Sequence, residues 1–186
     1  MAGHQLTQFE HVLLGLVCLS PSSGYDLKRV FATTPMGVYQ PSSGALYPAL
    51  RRLEAKGLVR AKAPGDASAQ VRRRRVYEPA QAGQTAHLTW LRTPVEPSAV
   101  SRDLGLYLMR FAMMERVITR EEVLGFLRDL KAALAAATAE LERHVAATRL
   151  NDRHPRLAME HGLAVHRASL RWAEHAIAEL SAAPAR

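Results

Sequence analysis

A dense group of basic side chains lies between residues 51 and 75 of this 186-residue chain. Nine cations stand there against Glu54 and Asp66, so the segment has a net charge of +7. Like charges this close repel one another and destabilise a fold unless a partner offsets them. The cluster therefore favours a polyanionic partner, and a solvated basic face without a partner is the alternative that charge alone leaves open. The nine cations are Arg51, Arg52, Lys56, Arg60, Lys62, Arg72, Arg73, Arg74 and Arg75.

A second group of polar side chains overlaps the start of this cluster. Ser43, Tyr47 and Arg51 are spaced four residues apart, so on a helix they share one face. Together with Ser42 and Arg52 they are candidate contacts to phosphates and to the edges of bases. The alternative is local: the two serines cap a helix, and the tyrosine is a packed aromatic ring.

The elements that would position these groups are predicted as three short helices. The first begins with a capping box, Thr7-x-x-Glu10, in which side chain and backbone bond reciprocally. The third ends at Gly57, because glycine accepts the left-handed turn that closes many helices. Apolar residues at helical spacing predict the buried side of this third helix: Leu46, Leu50 and Leu53. The predicted bounds are Thr7–Leu19, Tyr25–Phe31 and Ser42–Gly57.

A basic β-hairpin is predicted to follow, with strands Leu58–Ala63 and Arg74–Glu78 and a turn at residues 64–69. Its returning arm begins with Arg72–Arg75, and alternate side chains of a strand face opposite sides, so half of them can meet DNA at once. Three short helices and a hairpin are the plan of a winged helix-turn-helix. In that fold the third helix enters the major groove and the wing meets the DNA backbone or minor groove.

These residues resemble the PadR family of transcriptional regulators over most of residues 6–92. The resemblance implies a cytoplasmic homodimer, usually a repressor, with an N-terminal winged helix and a helical C-terminal dimerisation region. Some members release DNA on binding phenolic or other hydrophobic small molecules. Two positions depart from the family pattern: Tyr39 replaces a common Trp, and Glu78-Pro79-Ala80 lacks the usual capping Thr. The motifs are Gly24-Tyr25-Asp26-Leu27, Ser43-Gly44-Ala45-Leu46-Tyr47-Pro48-Ala49-Leu50, Leu53-Glu54, Gly57-Leu58-Val59 and Arg75-Val76-Tyr77.

Residues 93–186 have a net charge of only +1, against +7 for residues 1–92, and are predicted to be helical. A linker at Pro94–Pro97 is followed by a helix over Leu104–Val117. A second capping box, Thr119-x-x-Glu122, begins a long helix, and another long helix follows a turn at Asn151–Pro155. Both long helices repeat apolar residues at alternating spacings of four and three, as coiled coils do. Because two such helices leave apolar surface uncovered, we expect a two-fold homodimer on a pseudo-palindromic operator. The repeats are Val123, Leu127, Leu130, Leu134, Ala137 and Leu141, and Met159, Leu163, His166, Leu170, Ala173, Ile177 and Leu180.

Aromatic and methionine side chains in this half are candidates for an effector pocket: Tyr107, Phe111, Met113, Met114 and Trp172. An apolar lining of this kind suits a flat hydrophobic ligand. Ordinary core packing is the alternative.

Composition and motifs exclude several classes of protein. A membrane helix needs ~20 apolar residues, and charges or histidines interrupt every apolar run before it reaches that length. The start of the sequence lacks a secretory signal pattern. We therefore expect a cytoplasmic protein without a membrane partner. Cys18, the single cysteine, cannot form an internal disulfide. The histidines of the C-terminal half show no H-x-x-x-H spacing, and no nucleotide-binding or hydrolase motif is present. We therefore expect no metal, no cofactor and no enzymatic activity.

The fold class expected is mostly α with a small β-hairpin wing, divided into a winged helix domain (residues 1–92) and a helical dimerisation and effector region (residues 93–186). The function expected is sequence-specific binding of double-stranded DNA. Two alternatives stay open: an effector-sensing or protein-interaction module whose winged helix binds protein, and a small helical enzyme. The nine cations at 51–75 favour DNA, because a protein partner does not require them.

Overall fold

A computed structural model describes residues 5–33, 43–62, 75–147 and 152–182. The chain forms two compact units, Met1–Thr93 and Pro94–Arg186. The predicted fold class, a winged helix with a small sheet followed by a helical region, is confirmed. The first unit contains α1 (Gln8–Leu19), β1 (Ser22–Ser23), α2 (Gly24–Thr33), α3 (Ser43–Ala55), β2 (Val59–Ala61), β3 (Val76–Pro79) and α4 (Gln81–Leu91). The second contains a 3-10 turn (Pro97–Ala99), α5 (Val100–Met113), α6 (Arg120–Ala147) and α7 (Arg153–Ala182).

Helix α1 begins as predicted. The Thr7 hydroxyl accepts a hydrogen bond from the Glu10 N–H (3.2 Å), and the Glu10 carboxylate accepts one from the Thr7 N–H (3.0 Å), so the capping box is complete. Residues 12–17 are all buried. This helix therefore lies at the centre of the first unit, where it packs against α3, α4 and β3.

Helix α3 ends as predicted at Gly57, which has a φ of +68°. The Leu58 N–H donates to the Leu53 carbonyl (3.0 Å) and the Gly57 N–H donates to the Glu54 carbonyl (2.8 Å). These two bonds define a Schellman motif, which satisfies carbonyls that the helix end leaves without a helical partner.

The small sheet has three antiparallel strands in the order β1-β3-β2, one more than the sequence predicts. Strands β2 and β3 pair antiparallel as expected, with Val59 opposite Pro79 and Ala61 opposite Tyr77. The predicted turn at residues 64–69 lies outside the described residues. Ser22 pairs with Tyr77 on the other side of β3. The sequence did not predict this two-residue strand, because Pro21-Ser22-Ser23-Gly24 has the composition that ends a helix and only the tertiary fold brings it beside β3.

Helix α4 begins without a side-chain cap, because Ala80 at its N-cap has no group that can accept a hydrogen bond. The absence of the usual capping Thr at residues 78–80 therefore leaves this helix without a side-chain cap. The Ala80 N–H instead donates to the Leu58 carbonyl (3.0 Å). Gly83, in the next turn, lies so close to Leu58 that an added Cβ would be 1.9 Å from that carbonyl oxygen.

In the second unit, α5 spans Val100–Met113, whereas the sequence predicted Leu104–Val117. The backbone continues from the 3-10 turn at Pro97 and bends at Asp103, and Arg116 adopts a positive φ of 65° beyond the helix end. Helices α6 and α7 are antiparallel, since Lys131 pairs with Glu174 and Arg167 pairs with Glu142. Within the described residues, no helix is both long and apolar enough to span a membrane.

Candidate nucleic-acid interface

Helix α3 divides into a buried and an exposed side. Leu46, Leu50 and Leu53 are at most 2% exposed, so they fix this side of the helix in the core. Tyr47 is 46% exposed, and Arg51 is exposed one turn further on. The predicted separation of an apolar stripe from a phenol and guanidinium face is therefore present in the described part of α3.

The position of Tyr47 depends on α2. A Cβ built at Gly24, the first residue of α2, would lie 2.6 Å from the Cε1 atom of Tyr47. The phenol ring thus lies against the glycine backbone at the start of α2. Ser23, the residue before Gly24, donates two hydrogen bonds to the Asp26 carboxylate, one from its N–H (3.2 Å) and one from its hydroxyl (2.6 Å). These contacts order the backbone that supports the ring.

Arg52 does not project in the same way as Arg51. Its Nε donates to Oε1 of Glu10 at 2.6 Å, and Nζ of Lys56 lies 3.5 Å from the other carboxylate oxygen. Glu10 is only 1% exposed, whereas Arg52 remains 52% exposed. Burial of Glu10 opposes ionisation, but the Thr7 N–H, the Arg52 guanidinium and the Lys56 ammonium outweigh it, so the pKa of Glu10 is lowered.

Arg75, directly before β3, also has an anionic partner. Its Nη2 atom lies 2.5 Å from Oε1 of Glu54 on α3, and the guanidinium lies 5.5 Å from the centre of the Tyr77 ring. Because Arg75 is 58% exposed, it keeps contact with solvent on its other side. The pair links the returning wing strand to α3.

The candidate effector residues do not form one pocket. The Tyr107 hydroxyl donates to the Glu96 carbonyl (3.3 Å) and accepts from the Glu96 N–H (3.1 Å), and Met114 is buried. Phe111 packs edge-on against Trp172, with ring centres 5.6 Å apart. Tyr107 and Met114 therefore contribute to the core of the second unit.

A cavity of about 410 Å³ lies between α5 and α7, and its lining is mostly apolar. Of the effector candidates, only Trp172 lines it. The other lining residues were not predicted from the sequence. The sequence does contain one indication of this lining, because Leu104 and Leu108 are four residues apart and so share one face of α5. The other lining residues are Leu104, Leu108, Ala168 and Ser169.

The second unit also contains a buried arginine that the sequence did not predict. Arg110 is 3% exposed, and its guanidinium carbon lies 5.0 Å from the centre of the Phe126 ring and 5.6 Å from that of Tyr107. Burial lowers the pKa of Arg110. Nothing in the local sequence distinguishes it from the exposed arginines of other helices, because its burial depends on α6.

Two family models match the chain. Residues 13–88 match the transcriptional regulator PadR-like family, and residues 101–181 match the C-terminal domain of virulence activator alpha. The matched segment of the first contains α2, α3 with its exposed face, the three strands, and most of α1 and α4. Residues 13–88 are a PadR-like domain. The resemblance drawn from the sequence motifs is thereby confirmed.

The chain is also similar to several solved structures. The PadR-like regulator BC1756 of Bacillus cereus is 22% identical (97% of this chain and 99% of that chain covered, TM-score 0.43). Bacillus subtilis PadR in complex with operator DNA is 19% identical (95% and 99%, TM-score 0.42). The Vibrio cholerae virulence activator AphA is 24% identical (93% and 98%, TM-score 0.39). No curated protein is significantly similar in sequence.

Several predicted contacts of the PadR-like domain lie outside the described residues: Ser42, Arg72, Arg73, Arg74 and the side chain of Ser43. Tyr39 does as well. The described part places Tyr47 and Arg51 on one exposed face, and it pairs Arg52 and Arg75 with carboxylates. No group of three or more metal-ligating side chains occurs in the part of the chain that the structure describes.

Proposed function

We propose that this protein is a sequence-specific DNA-binding transcriptional regulator that acts as a homodimer and represses its target. The observation that carries the proposal is the exposed face of α3, with Tyr47 and Arg51, on a domain of a family of transcriptional regulators. In a winged helix-turn-helix this helix enters the major groove. The guanidinium of Arg51 supplies phosphate binding, and Tyr47 and Ser43 are offered to base edges or phosphates.

The two halves of the chain have different tasks in this proposal. Residues 1–92 bind DNA, and residues 93–186 hold the dimer together. Among the 30 residues of α7 only Ala173 and Ala176 are buried, while Leu157 and Val165 are 46% and 45% exposed. A second copy would cover these apolar side chains. Such a dimer would set two recognition helices about 34–36 Å apart, one turn of the DNA double helix.

The cavity between α5 and α7 is the candidate effector site. An apolar lining that includes Trp172 and Leu108 suits a flat hydrophobic or phenolic molecule. The Ser169 hydroxyl donates to the Val165 carbonyl (2.9 Å), so its oxygen is available to accept a hydrogen bond from the ligand. Phe111 supports the site from behind by packing against Trp172. Binding there would release DNA if the cavity differs between the DNA-bound and free states.

The test of DNA binding is fluorescence anisotropy with a duplex from the region upstream of the protein's own gene, beside a scrambled duplex, over a salt series. A preference of ~10³-fold for the upstream duplex supports a self-regulating specific regulator. Equal and steeply salt-dependent binding to both supports a DNA-binding protein whose operator lies elsewhere. No binding at low salt would reject the proposal and favour the alternative, a winged helix that binds protein.

Two further measurements test the finer parts. Light scattering after size-exclusion chromatography gives the mass in solution, and a value of one chain (20.5 kDa) would reject the homodimer. A reporter gene fused to the bound upstream region distinguishes repression from activation. Expression that rises when the protein is deleted supports a repressor, and expression that falls shows an activator.

A further inference from the structure

A buried carboxylate joins α1 to α3. Glu10 lies in the first turn of α1, and its two oxygens contact Arg52 (2.6 Å) and Lys56 (3.5 Å). Arg52 is 42 residues further along the chain, in the last turn of α3, and Lys56 follows directly after the helix. One carboxylate therefore receives two cations from the C-terminal end of the helix that we propose reads DNA.

The orientation of this carboxylate is fixed from its own side. Oε2 of Glu10 accepts the Thr7 N–H (3.0 Å), and the Thr7 hydroxyl accepts the Glu10 N–H (3.2 Å). The reciprocal capping box leaves the Glu10 side chain little rotational freedom. Oε1 then accepts a hydrogen bond from the guanidinium of Arg52, and charge-assisted bonds of this kind are short and strongly oriented.

Adjacent residues on a helix project about 100° apart. Arg51 therefore projects to a different side of α3 from Arg52. The pairing of Arg52 with α1 restrains the rotation of the helix that carries Arg51 and Tyr47, and the contact with Gly24 restrains the Tyr47 ring itself. Rotation of α3 about its axis would break the contact with Glu10. The leucine stripe and the pair of Glu54 with Arg75 oppose the same rotation, and the Glu10–Arg52 pair adds a restraint on the flank of α3 that faces α1.

We propose that Glu10 and Arg52 are positioning residues of the DNA interface: their ion pair sets the rotation of α3, and Arg52 is not a phosphate ligand. This inference rests on the proposed DNA-binding function. Arg51 then supplies the phosphate contact that the sequence assigned to both arginines. A role in positioning predicts a loss of sequence preference, whereas a phosphate ligand contributes to binding of every duplex and to its salt dependence.

The first test is Glu10→Gln in the full-length protein. Glutamine keeps one acceptor oxygen for the capping box and replaces the oxygen that binds Arg52 with an NH2 donor, so it removes both the charge and the ion pair. General electrostatics predicts tighter DNA binding when a negative charge is removed from a DNA-binding domain. Positioning predicts the opposite sign: binding to a duplex selected by the protein from a random pool weakens about tenfold, while binding to a scrambled duplex does not weaken.

A matched control is available in the second unit. Glu122 closes the same kind of capping box on Thr119, with its carboxylate 3.2 Å from the Thr119 N–H. Glu122→Gln therefore makes the same chemical change in the same motif, outside the PadR-like domain. We expect it to leave binding to both duplexes unchanged. Circular dichroism melts of both variants measure any loss of folding.

The second test compares Arg52→Gln with its neighbour Arg51→Gln in a salt series. Loss of a phosphate contact lowers the slope of log K against log salt by about 0.9 per contact. We expect this change for Arg51→Gln. For Arg52→Gln we expect weaker binding to the selected duplex with the parent's slope. This test does not change the buried Glu10 itself, so it stands if Glu10→Gln does not fold.

The outcomes separate this inference from the proposed function. If the parent protein binds no duplex, both fail. If the parent binds DNA but Glu10→Gln tightens binding to both duplexes, the positioning inference alone fails. It fails equally if Arg52→Gln lowers the salt slope as much as Arg51→Gln does.

Discussion

The ring of Tyr47 occupies the space that a side chain at position 24 would need. A Cβ on Gly24 would meet the Cε1 atom of Tyr47 at 2.6 Å, well inside van der Waals contact. The glycine at the start of α2 thus sets the direction of a phenol on α3. Two motifs that are separate in the sequence, Gly24-Tyr25-Asp26-Leu27 and the segment around Tyr47, form one feature of the domain.

Gly24→Ala is expected to displace the Tyr47 ring with little effect on folding. The atom it meets is the end of a rotatable side chain, so we expect the free energy of unfolding to change by less than about 1 kcal/mol. Affinity for a selected duplex should fall, as measured by anisotropy. The same substitution in a Tyr47→Ala background should have no further effect, and an equal loss there would contradict the contact.

Arg72→Ala combined with Arg74→Ala tests the predicted wing contacts. Because each phosphate contact contributes about 0.9 to the salt slope, we expect weaker binding to every duplex and a flatter slope. Ser43→Ala should instead change the preference between duplexes. Undiminished binding of the double variant at 150 mM salt would show that the wing assignment is wrong.

Gly83→Ala tests the contact between α4 and Leu58. The added methyl would lie 1.9 Å from a backbone oxygen, which cannot rotate away, so we expect a loss of about 3 kcal/mol in the free energy of unfolding. Gly125→Ala on α6 is the control, since nothing lies within 4 Å of its Cβ position. Alanine in a helix interior stabilises by up to about 1 kcal/mol there. Chemical denaturation measures both changes.

His87 makes stability depend on pH. It is 4% exposed, close to the Trp90 ring on which His11 stacks, and burial together with the His11 charge lowers the pKa of His87 to about 4. In the unfolded chain the His87 imidazole is protonated near pH 6.5, whereas in the folded protein it stays neutral down to about pH 4. The contribution of neutral His87 to the free energy of unfolding is therefore present above pH 6.5 and is lost as the pH falls toward 4. The loss by pH 4 is on the order of 3 kcal/mol.

The measurement is the free energy of unfolding of the parent and of His87→Leu between pH 7 and 4. The variant should show a flatter profile from pH 6.5 to 4.5. Below pH 4.5 both proteins should still lose stability. The folded protein lowers the pKa of Glu10, so the stabilisation by the Glu10 carboxylate is lost only as the pH falls below 4.5. Parallel profiles over the whole range would exclude His87 as the cause.

Ala168→Phe is expected to fill the cavity between α5 and α7. Ala168 is exposed and lines the cavity, so a larger ring can enter it without disturbing the core. Binding of the apolar dye anilinonaphthalene sulfonate should weaken about tenfold in the variant. Ala164→Phe, also at an exposed position of α7 but not in the lining, should bind the dye like the parent. Equal binding by all three proteins would place the dye elsewhere.

Local sequence determined the features that depend on neighbouring residues. Thr7 and Glu10 form the capping box that their spacing predicts, because both partners lie within one helical turn. Gly57 follows the end of α3 as predicted, since glycine adopts a positive φ without the steric cost that a side chain brings. The leucine stripe identified the buried side of α3 for the same reason: helical periodicity is local.

Only the tertiary structure decided which of the polar groups meet. Glu10 looks like a capping residue in sequence, yet it also binds Arg52, 42 residues away. Ser22 and Ser23 become a strand because β3 lies beside them, and Trp172 joins two leucines of α5 to line a cavity. The energies of these contacts depend on chain segments that come together on folding. A pattern of residue types along the chain carries no information about which partner a charge or a short extended segment will find.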